Sequence, residues 1–313
     1  FKYVDKYTVD GLLKRWPDTK YRDWYLGDWL APVGVDAGIQ SSVDLVNNCF
    51  ISECLGVMSK IAFTLGKKEE AEEYATRKEK LNKLIHQTFY QPNEGIYSTG
   101  SQLDMCYPML VGVVPDDLYN TVKEKMMVVT EQKYKGHIAV GLVGVPILTE
   151  WVIRNKKVDF FYQMLKKRDY SGYLYMIDNG ATATWEYWSG ERSRVHNCYS
   201  GIGSWFYQAI GGIRPDEAAP GYRHVYIDPQ VPNGLTWARV TKESPYGTIV
   251  VNWELKDNLM HLQLSVPAGT TAIVCVPDTA VSCKMNNKKV NIGKKIVPVE
   301  KGDYDFVFSL KIQ

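Results

Sequence analysis

The sequence predicts an α + β multidomain chain, a helical region followed by an antiparallel β-sandwich. Three observations carry that prediction. At about 150 residues per domain, 313 residues suit two domains. Apolar residues recur at three-to-four spacing between Ser41 and Ile210, the period of one helix face. After Gly211-Gly212-Ile213-Arg214-Pro215 the pattern turns to alternation punctuated by turn residues. Helices first and strands afterwards indicate separate α and β units rather than a doubly wound sheet. The boundary is expected near Pro215–Tyr222, giving domains 1–214 and 215–313.

The first helix is expected over Ser41–Leu65, where Val43, Val46, Phe50, Cys54, Met58, Ile61 and Leu65 share a face. Ser41 or Ser42 suits its cap, and Gly66 the left-handed position that ends it. Lys68–Phe89 follows at once, burying Ala71, Tyr74, Leu81, Leu84, Ile85 and Phe89 behind a solvated Lys/Glu face, so the two form a helical hairpin. Further helices are expected over Asp117–Thr130, Ala139–Asn155, Lys157–Arg168 and His196–Ile210. Gly95–Gln102, Gly172–Gly180 and Thr184–Val195 read as Gly- and aromatic-rich loops.

In the last third, Leu235–Lys242 alternates, Ser244-Pro245-Tyr246-Gly247 turns, and Thr248–Leu255 is a strand. Lys256-Asp257-Asn258 then turns into Leu259–Val266, and short strands continue to Leu310, as in a β-sandwich.

Composition excludes several classes. Charged residues are 23% and hydrophobic residues 45%, the balance of a folded globular chain. A net charge of +2 gives no basic excess for nucleic acid. No apolar run is long enough to span a membrane, and Phe1-Lys2-Tyr3-Val4-Asp5 has no signal-peptide pattern. The six cysteines form no C-x-x-C pair and no His stands at finger spacing, so no metal or other cofactor is expected; Cys275 and Cys283 are spaced to meet across a hairpin. No phosphate-binding loop, G-x-S-x-G elbow or H-E-x-x-H is present. Aromatic content is high, 12% with 9 Trp and 21 Tyr, which suits stacking on sugar-like ligands.

Two segments can carry chemistry. In Tyr25-Leu26-Gly27-Asp28-Trp29-Leu30-Ala31-Pro32 a carboxylate stands beside an indole ahead of a helix. Asp28 there either bonds sugar hydroxyls while Trp29 covers the C–H face of the ring, or braces the loop with Trp29 in the core. In Ala181-Thr182-Ala183-Thr184-Trp185-Glu186-Tyr187-Trp188 a carboxylate lies inside an aromatic cluster. It suits a base activating water beside a sugar, or a buried partner for Arg192 or Arg194. His196 is either a substrate donor or a satisfied core histidine. His137, in Gly136-His137-Ile138-Ala139-Val140-Gly141, leans to a core or capping role, and His86 complements the end of the second helix.

At these residues the chain resembles a known family. Gly27-Asp28-Trp29-Leu30, then Thr184-Trp185-Glu186-Tyr187-Trp188, then His196 nine residues before Trp205, resemble the motif series of bacterial α-L-rhamnosidases of glycoside hydrolase family 78. Gly203-Ser204-Trp205-Phe206-Tyr207 is similar to the final barrel helix of that family, and Arg214–Pro232 to its junction with a C-terminal β-sandwich. The resemblance implies a partial (α/α)6 barrel of helical hairpins and inverting hydrolysis of terminal α-L-rhamnosyl linkages. It implies Glu186 as general base, with Asp28, Trp29, His137, Trp188 and His196 around the sugar. It also implies a rhamnose-containing carbohydrate or glycoside as substrate, and an exported, periplasmic or extracellular location.

Two departures qualify the match. The general acid of the family belongs to a D-x-x-x-R-D-E-R-x-G-W-x-G-D-A-type block upstream of Gly-Asp-Trp, whereas 26 residues precede Gly27 and Arg22-Asp23-Trp24 is not that block. The acid and the first barrel helices are therefore expected to lie outside the chain, leaving it inactive alone and with an open helix face suited to self-association. Glu186 and His196 are also only ten residues apart, which leaves aglycone preference open. Two alternatives remain: another six-hairpin glycosidase, or a non-catalytic carbohydrate-binding or structural module.

Overall fold

The computed structural model describes residues 1–17 and 22–311. It divides into two compact units, Phe1–Trp151 with Gln163–Gly201, and Val152–Tyr162 with Ile202–Gln313.

The first unit is helical. Two short ribbons, β1 (Thr8–Val9) with β2 (Leu12–Leu13) and β3 (Tyr90–Gln91) with β4 (Ile96–Tyr97), accompany its helices. Helices α1 (Gln40–Thr64) and α2 (Lys68–Phe89) form the expected hairpin, and Gly66 at φ 76° reverses the chain between them. The start of α1 is not serine-capped: Ile39 holds that position, while Ser42 is buried and donates to Asp104 at 2.7 Å. The expected apolar face of α1 is also buried only at its beginning. Val43 and Val46 are core, but Phe50, Ile61 and Leu65 are exposed. The inward side is instead Cys49, Ser52, Leu55 and Ala62, because α2 and α3 (Gln102–Val111) pack there through polar pairs. Ser52 donates to Asn82 at 2.5 Å, and Tyr107 donates to Glu53 at 2.6 Å.

The sequence pattern misses α3. Nearly every residue in it is buried, so no apolar–polar period marks it, and it contains Pro108. Its signal is the cap, Ser101 accepting the Asp104 N–H at 3.1 Å. Next come α4 (Asp116–Gln132), α5 (Gly144–Arg154), α6 (Val158–Leu165) and α7 (Tyr173–Asp178), the last inside a segment read as loop. Helix α5 begins five residues later than the pattern suggests, because residues 139–143, irregular and then turning, are held by contacts described below. His196–Ile210 is not one helix. It runs as loop, a 3₁₀ turn (Ser200–Ile202), one α turn (Gly203–Trp205) and a π turn (Phe206–Ile210).

The second unit carries the β-sandwich. Its strands are β5 (Ile213–Pro215), β6 (His224–Ile227), β7 (Trp237–Ser244), β8 (Gly247–Lys256), β9 (Leu259–Val266), β10 (Thr271–Cys275), β11 (Ala280–Met285), β12 (Lys288–Val290), β13 (Ile296–Val299) and β14 (Gly302–Leu310). One sheet has the order β13-β10-β6-β5, the other β12-β11-β14-β9-β8-β7. Pairing is antiparallel except between β6 and β10, which run parallel with Val225 opposite Ala272. Alternation along β8 and β9 buries Ile249, Val251, Trp253, Leu262 and Leu264, and the Trp253 indole donates to the Ile210 carbonyl at 2.8 Å. Cys275 and Cys283 lie in different sheets, so no hairpin joins them, and all six cysteines are free thiols.

Candidate active site

The loop that begins at Gly27 is fixed by its own carboxylate. Asp28 is buried, and its two oxygens accept the N–H of Gly141 at 2.6 Å and of Gly144 at 2.8 Å. The Leu142 N–H closes the clamp on the Trp29 carbonyl at 2.8 Å. Both glycines are needed for space. A Cβ on Gly141 would stand 2.2 Å from the Trp29 carbonyl oxygen, and one on Gly144 would stand 2.5 Å from the Val140 Cβ. Burial pushes the Asp28 carboxyl up to about 7, against the opposing pull of the two N–H donors. Asp28, expected to touch sugar, is therefore enclosed with both oxygens occupied. It holds in place a loop on which Trp29, 37% exposed, remains open to solvent.

The second loop is pinned at both ends. The Glu186 N–H donates to the Ser193 carbonyl at 2.9 Å, and the His196 N–H to the Thr184 carbonyl at 2.8 Å. Between these bonds Glu186 keeps a 14% exposed side chain. Its Oε2 accepts the Ser193 N–H at 3.3 Å, and the Arg192 guanidinium stands 4.0 Å from Oε1. The Arg192 side chain is itself largely in solvent, which weakens its attraction for the carboxylate. Beneath the loop Trp185 is buried, with Arg194 over its ring at 5.1 Å.

Trp188, expected to wall a pocket, is 1% exposed and belongs to the core. Its indole N–H donates to the Val140 carbonyl at 2.9 Å, and its ring stacks on Tyr199 with centroids 4.0 Å apart. Tyr199 in turn donates to the Leu30 carbonyl at 2.8 Å. Residues 140–144 thus take one bond from the Glu186 loop and several from the Asp28 loop, and Tyr199 joins the two directly. That the two loops belong together was expected from the resemblance, but the bridging role of residues 140–144 was not legible in sequence. Its only signal was Gly141-Leu142-Val143-Gly144, two glycines three apart where backbones approach closely.

The histidines differ in what they leave open. His137 is buried, with Nδ1 3.0 Å from the Ser171 carbonyl and Nε2 3.3 Å from the Asp169 carboxylate, so protein groups occupy both nitrogens. Asp169 and Ser171 were not singled out in the sequence. His196 is half-buried. Its Nδ1 accepts the Cys198 N–H at 3.1 Å, which places the ring proton on Nε2 and leaves that donor for another acceptor. Among the described residues, no group of three or more His, Cys, Asp or Glu side chains is arranged to hold a metal ion.

Two family models match this chain. The bacterial alpha-L-rhamnosidase 6 hairpin glycosidase domain covers residues 1–210. The chain belongs to that family. The bacterial alpha-L-rhamnosidase C-terminal domain covers residues 212–291. An alpha-L-rhamnosidase of Formosa agariphila is 28% identical over 284 residues, covering 86% of this chain and 30% of that protein. One of Streptomyces avermitilis is 28% identical over 287 residues, covering 88% of this chain and 26% of that protein. Among solved structures, an alpha-L-rhamnosidase from Dictyoglumus thermophilum superposes with a TM-score of 0.87 at 22% identity, over 98% of this chain and 36% of that one. The Streptomyces avermitilis enzyme complexed with L-rhamnose gives 0.84 at 24%, over 98% and 29%. These likenesses show the fold, a helical six-hairpin domain followed by a β-sandwich. The chain spans about a third of the length of the relatives it matches.

Proposed function

We propose that this chain contributes the base side of an active site that removes terminal α-L-rhamnose from oligosaccharides or glycosides with inversion. The observation that carries this reading is the setting of Glu186. Ser193 fixes one carboxylate oxygen, while the other accepts no hydrogen bond from the described residues and has only the distant, solvated Arg192 beside it. Such an oxygen can take a proton from water, as the base of an inverting glycosidase does. His196 offers Nε2–H to a sugar hydroxyl, and Trp29 offers an indole face to the ring. Asp28, His137 and Trp188 act as positioning residues, since the protein occupies their polar atoms.

In an inverting site the two carboxyl groups stand about 6.5–9.5 Å apart with water between base and sugar. We assign the acid to a part of the whole protein outside these residues, because no block here resembles the acid motif. Among the described residues no helix is long and apolar enough to cross a membrane, and an exported, periplasmic or extracellular location completes the reading. So does self-association of the isolated chain through the exposed face of α1. The test is an assay of the purified 313-residue chain on an aryl α-L-rhamnoside. The reading expects no turnover; turnover abolished by Glu186→Gln would show that the acid lies within these residues.

A further inference from the structure

The six-stranded sheet buries one face and turns the other to solvent. Ala238, Trp253, Leu262 and Phe306 point inward, so their sequence neighbours point outward. Register brings those neighbours into two rows. Arg239, Asn252, Gln263 and Asp305 lie opposite one another across β7, β8, β9 and β14. One step along, Trp237, Glu254 and His261 do the same across three strands. Together they line an open groove of about 600 Å³, within the range of small-ligand sites. A second groove of about 330 Å³ shares Asn252, Gln263 and Asp305 with it and continues past Asn286 and Tyr304.

From this groove we infer that the β-sandwich carries a second saccharide-binding surface, specific for a neutral oligosaccharide and separate from the Glu186 site. Its chemistry selects that ligand. Trp237 is 61% exposed, with the Arg239 guanidinium 5.9 Å from its ring centre, so a large apolar surface lies open beside a guanidinium donor. An indole so placed covers the C–H face of a pyranose ring. The side chains of Asn252, Glu254, His261 and Gln263 take no hydrogen bond or ion pair from the described residues. Two amides, a carboxylate and an imidazole therefore remain free, offering donors and acceptors to adjacent hydroxyls. One guanidinium stands against the carboxylates Glu254 and Asp305, so the groove has no cationic excess to draw an acidic saccharide, and a neutral one meets no like charge. The joined grooves suit two or more sugar units in sequence.

The experiment is calorimetric titration of the full 313-residue chain carrying Trp29→Ala, to remove the indole platform of the proposed helical site, and Glu186→Gln, to prevent turnover there. Probes are xylotetraose, cellotetraose, a rhamnose-containing disaccharide and tetragalacturonic acid. We expect at least one neutral probe to bind saturably in the millimolar range or tighter. Trp237→Ala should weaken that binding about tenfold or more, and Gln263→Ala several-fold, with melting curves unchanged because both side chains are exposed. No saturable binding of any neutral probe, or binding indifferent to Trp237→Ala, overturns the inference. Equal binding of tetragalacturonic acid overturns its neutral specificity. A probe bound by the unsubstituted chain, lost on Trp29→Ala and unaffected by Trp237→Ala, would refute this surface while supporting the helical site.

Discussion

Asp28 and Gly141 are 113 residues apart in sequence, and the carboxylate of one accepts the N–H of the other at 2.6 Å. Gly144 donates to the remaining oxygen, so a single buried side chain ties the Gly27–Pro32 loop to the entry of α5. The loop that presents Trp29 thus owes its position to a buried carboxylate whose two oxygens are both occupied by backbone N–H groups.

Asp28→Asn should destabilise the chain by about 1–3 kcal/mol, because the amide nitrogen faces an N–H that then lacks an acceptor. The pH profile gives a second readout. With the folded carboxyl raised to about 7, the native state holds a proton that the unfolded chain has lost. The contribution of Asp28 is therefore fully present below the ordinary carboxylate range and disappears as pH rises through about 7. Denaturant midpoints measured from pH 4 to 8 should fall for the wild type across that window and fall less for Asp28→Asn.

Gly141→Ala should cost more than an ordinary surface substitution. The added Cβ meets backbone, the Trp29 carbonyl at 2.2 Å and the Ala31 nitrogen at 2.6 Å, and neither can rotate away. The loop must move, at a cost of about 1–3 kcal/mol. Binding of L-rhamnose should weaken together with the melting temperature; unchanged binding in a folded variant would separate the clamp from the site.

How much of this was legible in sequence depends on how far away the deciding contact lies. Helix α2 and strand β9 were read at their observed limits, Lys68–Phe89 and Leu259–Val266, because each carries a clean apolar period. Helix α3 has no period because almost all of it is buried. Trp188 and His137 were found by residue type, but their burial comes from Val140 and Ser171, which are 48 and 34 residues away. Residue type picked out the candidate residues; distant backbone decided which of their side chains reach the surface.

The exposed stripe on α1 makes a prediction about assembly. Phe50 and Ile61 on α1, and Leu65 at its C-terminal cap, leave large apolar side chains in water on a chain of 35.7 kDa. Light scattering should report a mass above that value at micromolar concentration, and Phe50→Ser with Ile61→Ser should return it to the monomer. A monomeric wild type would remove self-association from the account.

Glu186→Gln in the whole protein tests the central claim most directly. The amide keeps the shape of the side chain and the Ser193 contact but cannot take a proton from water. Turnover of an aryl α-L-rhamnoside should fall by about 10²–10⁴-fold while L-rhamnose still binds. Turnover near the wild-type rate would assign the base to another residue and contradict the account.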